Sequence, residues 1–309
     1  YSSTAVIYMI IDEIKITKPG ESYQFLEKGN HTVYIKIDGY FTSCLFKNIK
    51  NLISVSITDF DQYKPRLVFS ELFWQCSNLI SVDLSKMYHN YSDSLENMFY
   101  ECSNLRYVNF PLKKITVINY TRKMFYKCYS LTSIDVSKLN VSKCSNFLQM
   151  FSQCTSLETI ILDDFKLENG ININFMFYNC TSLKYLDLSS FKPVKLNNMD
   201  YVFYNCHSLL EIDLKNFYTS LVTTMEGLFY NCTSLQSLDL SSFNTEKVQY
   251  MNNMFENCIS LTSINFGSNF IINNFKNISN IFYNCYSLEE INELKITISI
   301  TWLNINNLF

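Results

Sequence analysis

Phe229-Tyr-Asn-Cys232-Thr-Ser-Leu235-Gln-Ser-Leu238-Asp-Leu240-Ser-Ser-Phe243 decides the architecture, because it is one copy of a pattern that returns every 26 residues. Its cysteine marks the phase: Cys76, Cys102, Cys128, Cys154, Cys180, Cys206, Cys232 and Cys258 keep the 26-residue step, and Cys285 follows one residue late. A fixed period in the twenties is the signature of a solenoid, in which each repeat is one supersecondary unit stacked on the next. Such a chain spreads its function over a long regular surface and has no single central pocket.

Within the quoted copy, Leu235-x-x-Leu238-x-Leu240 ends in period-two alternation, which reads as a short strand with Leu238 and Leu240 inward and Ser237 and Asp239 outward. Val248, Met251, Met254, Phe255 and Cys258 follow at i, i+3, i+6, i+7 and i+10, the spacing of one apolar helix face. Asn244 or Thr245 is placed to cap that helix, and Asn257 to close it in the left-handed conformation. The unit is therefore expected to run strand, turn, helix, turn. The other copies agree: Leu183/Leu186/Leu188 and Leu209/Ile212/Leu214 repeat the strand, and Met124-Phe125, Met176-Phe177 and Met254-Phe255 repeat the second segment. A weaker early unit at Phe46, Ile49, Leu52, Val55 and Ile57 has Ile49 at the cysteine position, as an atypical terminal repeat would.

The pattern MFYNCTSLxxLDLSSFNTxxVxxM resembles the BspA-type leucine-rich repeat of surface proteins from bacteria and from parasitic or anaerobic protists, over roughly residues 44–292. The stretch Gly29-Asn-His-Thr-Val-Tyr-Ile-Lys-Ile37 is similar to the strand-rich lead-in of such proteins. The resemblance implies a leucine-rich-repeat horseshoe, an extracellular or cell-surface location, and adhesion or partner contact. The spacing itself argues for an α/β solenoid of about ten strand-turn-helix units. Strands about 4.8 Å apart backed by helices near 10 Å apart would force that array to curve, helices outside. Three segments are expected: a β-rich cap or lead-in at 1–43, the solenoid at 44–292, and a C-terminal β cap at 293–309. Val33, Ile35 and Ile37 alternate in the first, with a second strand in Ala5–Ile16 and a turn at Pro19-Gly20. Ile296, Ile298, Ile300 and Trp302 alternate in the last. The late Cys285 predicts one extra residue between Gly267 and Ser279.

Apolar residues make up 48% of the 309, ample for a continuous core, and the net charge of −3 offers no basic field for nucleic acid. The longest apolar run, Ala5 to Ile11, is far below the roughly 20 residues of a membrane span. It also lacks the basic flank and cleavage site of a signal peptide. The chain opens at Tyr1 instead of Met, as a processed or trimmed product would.

Eleven cysteines invite a disulfide or zinc reading, and the spacing argues against both. Thiols stacked about 4.8 Å apart do not suit the roughly 3.8 Å between disulfide β-carbons, and no Cys-x-x-Cys pair occurs. The periodic cysteines are expected to be reduced, buried small hydrophobes; Cys144 falls on the same apolar face, and Cys44 lies near the start of the array.

Two outward rows flank each strand. One reads Asp83, Asn109, Asp135, Ile161, Asp187, Asp213, Asp239, Asn265, Asn292; the other Ser81, Tyr107, Ser133, Thr159, Tyr185, Glu211, Ser237, Ser263, Glu290. Tyr107, Asp135, Tyr185, Asp187, Glu211, Asp213 and Asp239 form the candidate binding face for a peptide, a glycan or a cation. The plainer expectation is a solvated sheet face whose Asx side chains bond nearby backbone. Calcium is disfavoured, because hard cations want six or more converging oxygens. A further row before each cysteine (Trp74, Tyr100, Tyr126, Tyr178, Tyr204, Tyr230, Tyr283) is interrupted by Ser152 and Glu256. It is expected to pack ring on ring, beside a structural row at Asn179, Asn205, Asn231, Asn257 and Asn284. Asn30, Asn90, Asn119, Asn140 and Asn277 stand in glycosylation sequons; Asn179 and Asn231 do too, on the structural row. So Asn-rich a chain carries that many by chance.

No catalytic set emerges. His31, His89 and His207 are isolated, and no glycine-rich phosphate loop or nucleophile elbow occurs. The expectation is a non-enzymatic protein without cofactor or metal, a surface or secreted module that recognises protein or glycan through the strand face. The alternative is a structural role, in which the array packs with copies of itself or other surface proteins into a layer. Exposed aromatics spread over both faces would favour that alternative, and one aromatic-rich patch the module.

Overall fold

In the computed structural model, residues 5–11, 14–16, 33–38, 45–57, 69–86, 94–111, 117–272, 276–292 and 295–296 are described. The repeats form a parallel β-solenoid. The first three strands, β1 (Ala5–Ile11), β2 (Ile14–Ile16) and β3 (Val33–Asp38), make a separate antiparallel sheet in the order β2-β1-β3. The array then contributes ten three-residue strands at one phase. These are β4 (Ser54–Ser56), β5 (Ser81–Asp83), β6 (Tyr107–Asn109), β7 (Ser133–Asp135), β8 (Thr159–Ile161), β9 (Tyr185–Asp187), β10 (Glu211–Asp213), β11 (Ser237–Asp239), β12 (Ser263–Asn265) and β14 (Glu290–Asn292). Pairing is parallel and in register, Leu186 against Ile212 and Leu238 against Ile264. A short pair, β13 (Ile271–Ile272) and β15 (Lys295–Ile296), lies beside it. The early unit is present as β4. Of the proposed C-terminal alternation only Ile296 is described; Ile298, Ile300 and Trp302 lie outside the described residues, as do Pro19 and Gly20.

The strand reading holds residue by residue: Leu238 and Leu240 are buried and Ser237 and Asp239 exposed. The helix reading does not. Among the described residues there is no helix, and the segment before each cysteine is a run of overlapping turns. The N–H groups of Leu72, Trp74 and Cys76 donate back three residues, to the carbonyls of Phe69, Glu71 and Phe73 at 3.2, 3.1 and 3.0 Å. Those of Glu71, Phe73 and Gln75 donate instead to Glu96, Met98 and Tyr100 of the next unit at 3.0, 2.9 and 2.7 Å. Alternate amides thus close turns and stitch units together. Glu71 and Gln75 have φ of 58°, and every later unit repeats the pair four residues apart, as at Asn253 (61°) and Asn257 (62°). A left-handed residue at the third place of a turn is what type II turns require, and it cannot continue an α-helix. The apolar spacing misled because a chain of turns returns its side chains to one side every three to four residues, as a helix does.

This substitution also removes the expected mismatch between the two sides. Phe46, Phe73, Phe99, Phe125, Phe151, Phe177, Phe203, Phe229, Phe255 and Phe282 stack in one column, with successive centroids 5.2 to 5.8 Å apart and planes within 14°. That is close to the strand spacing of about 4.8 Å, whereas helices would need about 10 Å. The mismatch that would curve a helix-backed horseshoe is therefore much smaller here. A second parallel ladder of single-residue bridges runs Asn146, Asn172, Asn198, Thr224, Tyr250, Asn277. Its asparagines fix their own turns, Asn172 Oδ1 accepting from the Asn174 N–H at 2.9 Å and Asn198 Oδ1 from Asp200 at 2.8 Å.

The extra residue before Cys285 lies inside the expected window. Leu240 and Phe243 are three residues apart, whereas Phe266 and Phe270, which take their places, are four apart. Gly267 absorbs the difference with φ of 61°, and a Cβ there would come within 2.7 Å of the Ser241 Cα.

Two stability outcomes follow from these contacts. Truncating a ring in the middle of the column, Phe177→Ala, should cost about 3–5 kcal/mol in urea denaturation, the range for a fully buried Phe. Gly267→Ala should cost about 1–2 kcal/mol from the left-handed backbone alone, more with the clash, and should lower the melting temperature. An unchanged melting curve for G267A would show that the bulge is not where these contacts put it.

Candidate functional site

The outward strand positions carry the polar face. Tyr107 in β6 and Tyr185 in β9 are 60% and 57% exposed, and among the described residues neither ring has an aromatic neighbour. Asp135, Asp187, Glu211 and Asp239 are exposed, and Asp213 is half-buried. All four aspartates of the candidate face spend one oxygen on local structure. Asp135, Asp187, Asp213 and Asp239 each accept, on Oδ1, the N–H two residues on, from Ser137, Ser189, Lys215 and Ser241 at 2.9, 2.8, 3.0 and 2.9 Å. Asp83 does the same with Ser85 at 2.9 Å. The plainer expectation of side chains bonded to nearby backbone is thus met for this row. Hydrogen bonds from the Ser189 side chain and N–H hold the Asp187 carboxyl below the usual carboxylate range, and the Ser85 N–H does so for Asp83. The Asp213 side chain pairs with Lys215 Nζ at 3.0 Å, which raises the Lys215 pKa.

The face is not uniform. Over β4 to β8 the outward residues are mostly short, and the sheet surface forms an open trough of about 610 Å³. Ser81, Asp83, Asn109, Ser133 and Asp135 line it together with Tyr107 and Ile161. Of the seven candidate residues, the trough brings together Tyr107 and Asp135. Tyr185, Asp187, Glu211, Asp213 and Asp239 continue the face along β9 to β11 outside it. The trough escaped sequence reading because it arises from the shortness of Ser54, Ser56, Ser81 and Ser133, a signal that single strands do not display.

On the turn side, Trp74, Tyr100 and Tyr126 stack at 5.7 and 4.9 Å, and Tyr178, Tyr204 and Tyr230 at 5.0 and 4.4 Å. Ring faces inside these two stacks are spent on one another, which disfavours them as a sugar platform; Tyr283, further along the row, is exposed. The asparagine row is structural as expected: Asn205 Nδ2 donates to Asn179 Oδ1 at 2.8 Å, Asn231 Nδ2 to Asn205 Oδ1 at 2.9 Å, and all have positive φ. Lys47 sits over the Trp74 ring at 4.4 Å, and Lys127 Nζ bonds Glu101 at 3.0 Å.

The cysteines form a buried column. Ten are unpaired thiols, Cys285 alone of them half-buried; Cys44 lies outside the described residues. Each does more than fill space. The Sγ of Cys102, Cys128, Cys154, Cys180, Cys206, Cys232 and Cys258 lies 3.0 to 3.2 Å from the carbonyl oxygen of Phe73, Phe99, Phe125, Phe151, Phe177, Phe203 and Phe229 in the preceding unit. Every such carbonyl also accepts the N–H of its own unit's cysteine, as Phe73 does from Cys76 at 3.0 Å. The S–H therefore satisfies the second lone pair of a buried oxygen, a role the spacing did not reveal. Burial pushes the Cys206 thiol from 9.0 up to about 12 and that of Cys285 to about 11.

Among the described residues no group of three or more His, Cys, Asp or Glu could hold a metal ion. His207 is half-buried; His31 and His89 lie outside the described residues. Of the sequons, Asn30 and Asn90 also lie outside them. Asn119, Asn140 and Asn277 are half-buried, and Asn140 and Asn277 spend their side-chain oxygens on the N–H groups of Ser142 and Ser279. No helix among the described residues is long and apolar enough to cross a membrane.

Parallel units of 26 residues, a leucine-bearing strand in each and a column of cysteine and phenylalanine behind it define a leucine-rich-repeat solenoid. Residues 39–121 match the family model described as "BspA type Leucine rich repeat region (6 copies)", so the chain carries BspA-type repeats. Residues 93–210 and 197–301 match "Mycoplasma protein of unknown function, DUF285", and the chain belongs to that family. No curated protein matches it. Similar solved structures include a leucine-rich-repeat protein of T. pallidum, at 22% identity and a TM-score of 0.40, covering 60% of this chain and 78% of that one. A leucine-rich cell surface protein of Faecalibacterium prausnitzii is 18% identical with a TM-score of 0.37, covering 89% and 86%. A leucine-rich-repeat protein of Bacteroides ovatus is 22% identical with a TM-score of 0.41, covering 91% and 76%.

The thiol column sets a pH dependence. A thiol whose pKa is raised on folding keeps its proton while the unfolded chain loses it, so the unfolded state binds fewer protons and stability falls as pH rises. The thiol contribution should be constant from about pH 6 to pH 8 and decline from about pH 9 upwards, read as a falling urea midpoint; the lowered carboxyls of Asp187 and Asp83 add a separate loss at acid pH. In thiol titration Cys285 should react first, and the remainder of the column only on unfolding.

Proposed function

We propose that this chain is a non-catalytic recognition module of the cell surface or secreted space, which binds a protein or glycan ligand on its strand face. The observation that carries this is the trough over β4 to β8, which the exposed Tyr107 lines together with Asp135 and short polar neighbours. Exposed rings without a partner beside convergent polar groups are the usual make-up of a recognition surface. The BspA-type repeats support the surface location and the adhesive role. Nothing in the composition favours nucleic acid as partner, and no membrane insertion of this segment is proposed.

A second reading has its own support. Exposed apolar and aromatic side chains are scattered well beyond the strand face, with Tyr120 at 52%, Val194 at 54%, Tyr218 at 49% and Tyr286 at 79%. That spread suits an array packed among copies of itself or other surface proteins. Both readings place residues 1–43 and 293–309 as caps on the solenoid 44–292. Leu45, Phe46, Leu52, Val55 and Ile57 of the first unit are only partly buried, which gives an N-terminal cap something to cover.

Protein and glycan arrays probed with the chain and two double variants separate the readings. Tyr107→Ala with Tyr185→Ala should abolish ligand signal at an unchanged melting temperature, while Tyr218→Ala with Tyr286→Ala should leave it intact. If the second pair abolishes binding or dissociates a concentration-dependent oligomer seen by light scattering, and the first does not, the packing reading replaces the module.

A further inference from the structure

Resting on the strand-face reading, we propose that the occupant of this face is a cationic, extended protein segment. It lays lysine or arginine side chains along the carboxylate row and seats an apolar side chain in the trough between Tyr107 and Ile161. The outward positions of the ten solenoid strands hold no Lys, Arg or His. From β5 to β11 they hold six carboxylates: Asp83, Asp135, Asp187, Glu211, Asp213 and Asp239. The whole chain is nearly balanced, with 25 Lys and Arg against 28 Asp and Glu, so this is segregation of charge and not a reflection of net charge.

The counter-charges are placed elsewhere. Lys47, Lys123 and Lys127 lie on the turn side, against the rings of Trp74, Tyr100 and Tyr126. Next to the strands, Lys184 is taken by Glu158 at 3.3 Å and Lys215 by Asp213; Arg106, just before β6, and Lys86, whose charge acts on Asp83, are exposed exceptions. Asp135 and Asp239 keep their second oxygens without a partner among the described residues, while their first oxygens are fixed by the turn. The carboxylates stand one unit apart from β9 to β11 and two units apart from β5 to β9, about 5–10 Å, which is within roughly a Debye length of about 8–10 Å, so their potentials add along the row.

The same geometry disfavours a neutral sugar. The two unstacked rings, Tyr107 and Tyr185, stand three units apart, so they cannot clasp one sugar ring between them, and a neutral ligand, though its hydroxyls can donate to the carboxylates, gains no attraction from their summed charge. An open trough bordered by Tyr107 and Ile161, the latter 48% exposed, accepts an apolar side chain from an extended backbone.

The test is fluorescence anisotropy on the full chain. The probes are a labelled 12-residue peptide of alternating Lys and Val, its Glu-Val counterpart, and a neutral oligosaccharide. The Lys-Val peptide should bind at least tenfold more tightly than the Glu-Val peptide and weaken about tenfold between low and physiological salt. Asp135→Asn with Asp239→Asn preserves the turn-closing oxygens and should weaken binding at least tenfold, about 1.4 kcal/mol. Glu168→Gln with Glu246→Gln removes the same charge from exposed positions off the strand face and should change it less than twofold. Equal weakening by the two pairs, or no binding of the Lys-Val peptide, overturns the proposal. Oligosaccharide binding that is lost in Tyr107→Ala with Tyr185→Ala, while the Lys-Val peptide stays unbound, overturns the cationic partner and leaves the strand face as the site.

Discussion

The whole array depends on the alternation of backbone amides in the turn segment. Glu71, Phe73 and Gln75 donate along the solenoid axis while Leu72, Trp74 and Cys76 donate back within their own unit. This alternation holds the back of each unit at a spacing near that of its strand, so both sides of the solenoid advance together. The phenylalanine column at 5.2 to 5.8 Å, the tyrosine stacks and the asparagine bonds are side-chain expressions of that one backbone repeat. Each adds burial or hydrogen bonding to a spacing the amides have already set, and buried rings at about 1.5–3 kcal/mol apiece make the spacing stable.

The left-handed residues explain the composition of the rows. A position with φ near 60° strains most side chains, and asparagine and glycine accept it at least cost. Asn179, Asn205, Asn231, Asn257 and Asn284 hold one such row, and Asn97, Gly227, Asn253 and Asn280 hold part of the other. At Gly227 the reason is doubled, since a Cβ would come within 2.7 Å of the Tyr201 ring. The cysteine column follows the same logic: a buried carbonyl turned toward the neighbouring unit needs a small donor there, and the thiol is both small and apolar.

The strands were readable from Leu238 and Leu240 because period two is unambiguous, and the solenoid was readable from the cysteine step. The back of the unit was not, because the apolar spacing of Val248, Met251, Met254, Phe255 and Cys258 is common to a helix and to a run of turns. The residues that separate the two are Asn253 and Asn257, four apart and both left-handed, whereas a single such residue, as at Asn257 alone, reads as a helix end. Of the strand face, the polar rows were legible and the trough was not, since it depends on which neighbouring units carry short side chains.

Gly267 has an evolutionary consequence. Because axial and local donors alternate residue by residue, inserting one residue into a turn segment would swap their parity and sever the unit from its neighbour, much as a one-residue slip inverts a strand. Gly267 shows where a lone insertion is absorbed instead, in the arc just after a strand. The step from β4 to β5 is also 27 residues, so single residues can be taken up outside the turn segments, while larger changes of length come most simply as whole units, and duplication or loss of complete repeats is the natural way for such a chain to grow or shorten. Each duplication would lengthen the face without altering a single contact inside it.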